Sequence, residues 1–346
     1  MKAIILVGGE GVRLRPLTYA VVKSMVPVLN KPFLEHVIKN LVDQGINEII
    51  LAMGYKPESI YEYFKKGTGF DCKLVYSLED KPLGTAGAIR NAAQYIDSTF
   101  FVLNGDTFSD IDYTAMLRFH RRNKSRATIA LTRVEDPTRF GVVETDENGK
   151  VKAFIEKPAP DKVTSHWINA GVYILEPEVL DRIPMGEKYM FERGVFPGML
   201  ADGEPVYAYK SEAYWIDMGN PAQYHQLNMD MLQGKCKSQL CHVESTTPSP
   251  DSDIHASVIT SGAILIDGNC KIEENAQIRG PVIMGKDCRI KKGAFVGNTV
   301  LWDSVIIGEN ASVLNSIIAD GAIIKDKVSI KGETIYQAAP GESHTK

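Results

Sequence analysis

ILIDGNCKIEENAQIRGPVIMGKDCRIKKGAFVGNTV, residues 264–300, carries a large apolar residue at every sixth position: Ile266, Ile272, Ile278, Met284, Ile290 and Val296. Four residues after each stands a small or β-branched one: Cys270, Ala276, Val282, Cys288, Ala294 and Val300. After one-residue slips the pattern resumes at Ile307, Val313 and Ala319, then at Ile324 and Ile330. A helix needs a period near 3.6. Residues two apart in a strand face the same way, so this spacing sends one large and one small side chain inward per short strand. Strands of this kind, stacked, make a solenoid with a continuous aliphatic core.

Just upstream, STTPSPDSD (245–253) is polar, rich in Pro and Ser, and without periodicity. It reads as part of a linker over 233–253. The expected organisation is a first domain at 1–232, this linker, a coil domain at 254–335 and a tail at 336–346.

The first domain alternates strand-like and helix-like segments. Lys2–Val7 is a short apolar run. Lys31-Pro32 is read as opening a helix whose face carries Phe33, Leu34, Val37, Ile38, Leu41 and Val42, with Gly45 as its stop. Glu48–Met53 is a second apolar run, and Pro57 starts another amphipathic helix with Ile60, Tyr61 and Phe64. Lys73–Tyr76, Phe100–Leu103 and Ile168–Leu175 read as further strands. Residues 141–158 read as a hairpin around Glu147-Asn148-Gly149. This order predicts an α/β fold, a Rossmann-like and mostly parallel sheet with helices on both faces. Ligands bind such sheets beyond the C-terminal ends of the strands, so the residues just after each apolar run carry the interest.

The 346 residues hold 39 Lys plus Arg against 43 Asp plus Glu, a net charge of −4. That balance gives no nucleic-acid footprint. No apolar run is long enough to span a membrane, and the apolar start ends at Gly8-Gly9, too early for a signal peptide. The five cysteines are scattered without a CxxC pair, so neither a disulfide framework nor a zinc site is indicated. A cytoplasmic location is expected.

Three groups of residues could carry chemistry. Gly8-Gly9-Glu10-Gly11-Val12-Arg13-Leu14-Arg15 follows the first strand. Its glycines let backbone approach a phosphate, and Arg13, Arg15 and the later Lys23 add charged donors. It is neither a Walker loop nor a dinucleotide fingerprint. Asn104-Gly105-Asp106 ends a buried strand, where a carboxylate can hold Mg²⁺; Asp217, in the apolar stretch YWIDMG, offers a second. Glu156-Lys157-Pro158 and Asn169-Ala170-Gly171 supply groups for sugar hydroxyls and a phosphate. Taken singly, each also reads as a turn, cap or surface residue.

Together, GGEGVRLRPLT (8–18), Lys23, LGTAGAI (83–89), LNGD (103–106), FGVVETD (140–146), EKP (156–158), NAGVYIL (169–175) and WIDMG (215–219) resemble the sugar-1-phosphate nucleotidylyltransferases. The leucine-glycine stretch at 83–88 looks most like their mannose-1-phosphate guanylyltransferase branch. The six-residue period resembles the left-handed β-helix that many members carry. The resemblance implies attack of a sugar 1-phosphate on the α-phosphorus of a nucleoside triphosphate, most like GTP and mannose 1-phosphate, with Mg²⁺ as cofactor and pyrophosphate leaving. It implies that Arg13 binds the departing phosphates, Lys23 the reacting centre, and Asp106 and Asp217 the Mg²⁺. Gly8, Gly9, Gly11, Gly84 and Thr85 would line the nucleotide. Lys157 would bind the sugar's phosphate, and Glu156, Asn169 and Gly141 its hydroxyls.

Val12 stands where the family commonly has Thr or Ser. Val22 and Ser24 replace flanking prolines, so a less rigid Lys23 loop is expected. Glu79 lies where the family places a base-reading side chain. Guanine presents two donors on its Watson–Crick edge, which a carboxylate accepts, whereas uracil and thymine suit an amide. The competing reading of Glu79 is a solvated charge in Glu79-Asp80-Lys81. Alternatives for the whole chain are a glucose-1-phosphate thymidylyltransferase or other sugar specificity, and a non-catalytic regulator that binds a sugar nucleotide. An acyltransferase would need a catalytic His in the coil, where only His255 lies. The β-helix is expected to mediate homo-oligomer assembly or regulation.

Overall fold

The computed structural model describes residues 1–65, 67, 69–236 and 249–336. Most of the expected linker, at 237–248, and nearly all of the tail, at 337–346, lie outside the described residues. The chain forms two compact units. One comprises Met1–Glu10 and Val37–Asp217, the other Gly11–His36 and Met218–Lys346. Among the described residues no helix is long and apolar enough to cross a membrane.

The first unit is built on a nine-stranded mixed sheet. Strand Lys2–Leu6 lies between Glu48–Met53 and Phe100–Asn104 and runs parallel to both. Lys73–Leu78 continues the parallel set at one edge. Ala3, Ile4 and Ile5 are completely buried, as a central strand covered on both faces demands, and that is why the sequence shows a solid apolar run rather than alternation. On the other side Trp167–Leu175 runs antiparallel to Phe100–Asn104 and pairs onward with Ala127–Arg133. The hairpin of Gly141–Thr145 and Val151–Glu156 joins this same sheet.

Register decides where the loops fall. Leu6 is level with Ala52 and Asn104, and Met53 with Leu78. The chain therefore leaves all four parallel strands at one edge of the sheet. Gly8, Gly54, Glu79 and Asp106 follow there in close order.

One expected helix boundary is corrected. Lys31-Pro32 does not open the helix; it pairs antiparallel with Pro27-Val28, and the helix begins at Phe33. The turn between them is Leu29-Asn30, both in the left-handed region at φ 46° and 63°. A two-residue turn of that hand matches strand twist, but its usual signature is Asn-Gly, which a leucine hides.

In the second unit the six-residue period becomes a β-helix of short parallel strands. Asp253–Ile254, Lys271–Ile272, Arg289–Ile290, Ile306–Ile307 and Ile323–Ile324 stack into one ladder. Strands around Ile278, Val296 and Val313 and around Ile283, Val300 and Ile317 extend a second set in register. Arg289 pairs with Ile306 and Phe295 with Ser312, a coil of seventeen residues where the earlier coils have eighteen; this is the slip seen in sequence. Ile272, Ile278, Met284, Ile290, Val296, Ile307 and Val313 are at most 1% exposed, as are Cys270, Ala276, Cys288 and Ala294. The large-and-small alternation is the core itself.

Candidate active site

Two close backbone approaches shape the sheet edge. A Cβ on Gly105 would stand 2.4 Å from the Leu6 carbonyl oxygen, which the Gly105 N–H already meets at 2.9 Å. No side chain fits, so Asp106 is held directly beside the end of the first strand. A Cβ on Gly8 would meet the Gly54 nitrogen and Glu79 Oε1, each at 3.3 Å. Glu79 is thus half-buried against the glycine turn and is not a solvated charge. Its Oε2 accepts the Leu83 N–H at 2.9 Å. Burial raises its carboxyl above the ordinary range, and the Leu83 hydrogen bond opposes this.

Asp217 is brought beside Asp106 by a separate small ladder. Thr107–Ser109 pairs antiparallel with Trp215–Asp217, with Asp217 opposite Thr107. Asp106 lies in the turn immediately before that ladder, one residue along the chain from the partner of Asp217. The Trp215 indole N–H donates to the Ala170 carbonyl at 3.0 Å, tying this ladder to the Asn169–Gly171 bend. Two carboxylates offer oxygen alone, the donor set of a hard cation such as Mg²⁺, which takes one or two carboxylates and fills its shell with phosphate oxygens and water. Among the described residues no group of three or more His, Cys, Asp or Glu forms a complete metal cage. The residues present fit an ion that shares its shell with substrate.

Of the expected sugar-side residues, Gly141, Glu156 and Lys157 come together. Glu156 lies opposite Gly141 in the hairpin ladder, and a Cβ on Gly141 would come 3.1 Å from Glu156 Oε2. Lys157 Nζ is 3.6 Å from Glu156 Oε1, and its backbone is left-handed at φ 49°. Asn169 Oδ1 accepts the Gly171 N–H at 2.9 Å, while its amide donates to the Tyr173 hydroxyl at 2.7 Å. That tyrosine is fully buried, and burial raises its phenol well above normal, with Glu192, Glu156 and Asp106 adding to the shift.

Thr85 is committed to protein partners. Its hydroxyl donates to Glu192 Oε2 at 3.0 Å and accepts the Phe191 N–H at 3.1 Å. The Ala86 and Gly87 N–H groups donate to the Tyr189 carbonyl, so the start of helix Gly84–Asn91 is filled by the 187–192 segment. Gly84, at φ 73°, has no room for a Cβ, which would stand 2.7 Å from that carbonyl. Glu192 and Tyr173 were not singled out from sequence. Glu192 sits in an irregular helical turn, Phe191–Val195, and carries no motif; burial raises its carboxyl, and both Glu156 and Lys157 act on it electrostatically.

In the second unit, Gly11 and Lys23 are packed together. Gly11 is left-handed at φ 70°, and a Cβ there would stand 2.8 Å from the Lys23 Cβ. The Thr18 hydroxyl donates to the Gly11 carbonyl at 2.8 Å. Arg13 is exposed on the short turn Val12–Leu14. The expectation of a loose Lys23 loop is corrected. Val22, Lys23 and Ser24 are buried, and the Met25 N–H closes the turn on the Val22 carbonyl at 2.7 Å. Packing supplies the restraint that prolines would have given.

Comparison with known proteins shows the family. The family described as Nucleotidyl transferase matches residues 2–234, and one described as GMPPB C-terminal domain matches 260–339. The chain is 37% identical over 307 residues to a mannose-1-phosphate guanylyltransferase of Mycobacterium tuberculosis, covering 88% of this chain and 80% of that protein. It is 36% identical over 355 residues to a mannose-1-phosphate guanyltransferase of Yarrowia lipolytica, covering 96% and 94%. It is 34% identical over 337 residues to a UTP–glucose-1-phosphate uridylyltransferase of a Synechocystis species, covering 92% and 87%. Among solved structures, HddC from Yersinia pseudotuberculosis complexed with GMP-PN superposes with a TM-score of 0.58 at 33% identity, covering 66% of this chain and 97% of that one.

Proposed function

Since the chain belongs to the Nucleotidyl transferase family, as a sugar-1-phosphate nucleotidyltransferase, we propose that it transfers guanylyl from GTP to mannose 1-phosphate. An oxygen of the sugar phosphate forms a new bond to the α-phosphorus. The bond from that phosphorus to the oxygen bridging the α- and β-phosphates breaks, and pyrophosphate leaves with the electron pair. No covalent link to the protein is needed, so catalysis is positioning plus neutralisation of charge.

The single observation that carries the choice of base is the position of Glu79 Oε1, 3.3 Å from where a Gly8 side chain would begin. A base stacked over that bare glycine turn has a carboxylate at its edge. Guanine's N1–H and N2 amine donate to it; uracil and thymine set a carbonyl acceptor beside their single N3–H donor, and that acceptor is repelled by the second carboxylate oxygen. Asp106 and Asp217 would hold Mg²⁺, which supplies charge neutralisation on the phosphates when bound. Arg13 and Lys23 would add the remaining positive charge on the triphosphate. Lys157 would take the sugar's phosphate, and Glu156 and Asn169 its hydroxyls.

The test crosses four nucleoside triphosphates with mannose, glucose and heptose 1-phosphates and reads pyrophosphate release with and without Mg²⁺. The proposal expects the GTP and mannose 1-phosphate pair to have the highest kcat/KM and to require the ion. Preference for UTP or dTTP with glucose 1-phosphate overturns the base assignment. Tight binding of GDP-mannose with no turnover on any pair points to the regulator instead.

A further inference from the structure

The hairpin that follows Lys23 is too short to hold itself. Its strands, Pro27–Val28 and Lys31–Pro32, are two residues each, and its turn places a leucine in the left-handed region, a conformation that persists only where surroundings impose it. What imposes it is a set of buried polar side chains from the same unit. The Trp302 indole N–H of the β-helix donates to the Tyr224 hydroxyl at 2.8 Å, and that hydroxyl donates to the Pro27 carbonyl at 2.5 Å. Tyr224 is completely buried and Trp302 is 4% exposed. On the same helix, Pro221–Leu232, Asn228 is also completely buried and its Oδ1 accepts the Leu29 N–H at 3.1 Å. Asn30 in turn donates from its side chain to the Met284 carbonyl of the coil at 2.8 Å.

An apolar contact would suffice to glue a coil to a loop. Here directional hydrogen bonds hold two backbone groups of the hairpin, the Pro27 carbonyl and the Leu29 N–H, and the first of these lies four residues after Lys23. We propose that the β-helix is a positioning element for catalysis: Trp302 and Tyr224 form a strut that fixes the hairpin at Pro27 and, through the chain, the Lys23 turn. The coil then has a role within the single chain, distinct from the expected assembly of copies. This inference rests on the reading above that Lys23 acts on the phosphates. Trp302, Tyr224 and Asn228 are positioning residues, acting through Lys23 and touching no substrate.

The experiment uses the full chain with Trp302→Phe and Tyr224→Phe, singly and together. Each removes one link and keeps a ring in place. Expected is a fall in kcat of about tenfold with the KM for sugar 1-phosphate within about twofold, because the residues assigned to that substrate belong to the other unit. The double variant should be no slower than the slower single one, since both break one strut. Amide exchange at residues 26–33 should quicken by about tenfold while the β-helix core stays protected. Unchanged kcat overturns the proposal, as does a loss matched by general loss of protection throughout the coil. A parent chain without transfer on any substrate pair sinks the functional reading. The exchange data still decide the strut in that case: unchanged exchange at 26–33 shows that it fixes nothing.

Discussion

Asp217 stands across a three-residue ladder from Thr107, one step from Asp106. The pairing brings Asp217 to the neighbour of Asp106, which follows the edge where four parallel strands end. Two carboxylates drawn toward one point repel each other and gain from a shared cation.

Asp106→Asn and Asp217→Asn should each lower pyrophosphate release by about 100-fold or more, the equivalent of losing several kcal/mol of charge stabilisation. The amide keeps the volume, so thermal melting should change little. Activity in either variant within about threefold of the parent leaves these carboxylates without a catalytic role.

Glu79→Gln should lower kcat/KM for GTP relative to UTP by about tenfold or more, because the amide turns a donor toward guanine's donors. It can still accept the Leu83 N–H, so folding should be retained. A GTP-to-UTP ratio equal to the parent's removes Glu79 as base reader.

Gly105→Ala forces a methyl to 2.4 Å from the Leu6 carbonyl. The expected cost is about 1–3 kcal/mol in equilibrium urea unfolding, with activity falling further as Asp106 is displaced. Stability equal to the parent's would mean the strand end yields without strain.

His36 sets a pH dependence. Burial lowers its imidazole from 6.5 to about 4, opposed by the Val28 carbonyl, to which its Nε2–H donates at 2.7 Å. Below pH 6.5 the unfolded chain takes up a proton that the folded chain refuses until about pH 4. The unfolded state therefore binds more protons in that window, and stability falls as pH falls, by at most roughly 3 kcal/mol from this group. His36→Gln should flatten the loss measured by urea unfolding between those limits. Some slope should remain, since burial also depresses His120 and His225. An unchanged slope would show that His36 is not held neutral.

Much of the architecture was legible in the chain. The six-residue spacing of Ile266 through Val296 specified inward side chains directly, because a strand's side-chain period is local and a repeat multiplies it. The apolar runs at 2–7 and 100–103 marked central strands, and the loop residues after them proved to share one edge. Other features had no local signal. Leu29-Asn30 makes a turn that its residues do not advertise. Glu192 meets Thr85 from an irregular segment without a motif.

Periodicity determined on its own that this chain would pair an α/β sheet with a solenoid of short strands, since both follow from which side chains must leave water over a few residues. Only the tertiary structure decided that Asp217 lies opposite Thr107, the residue after Asp106, that Glu79 leans on Gly8, and that residues 11–36 pack with the chain beyond 218. Those are meetings between distant segments. They depend on strand register, on the space a missing Cβ leaves, and on buried hydrogen bonds that find their partners only once both sides have folded.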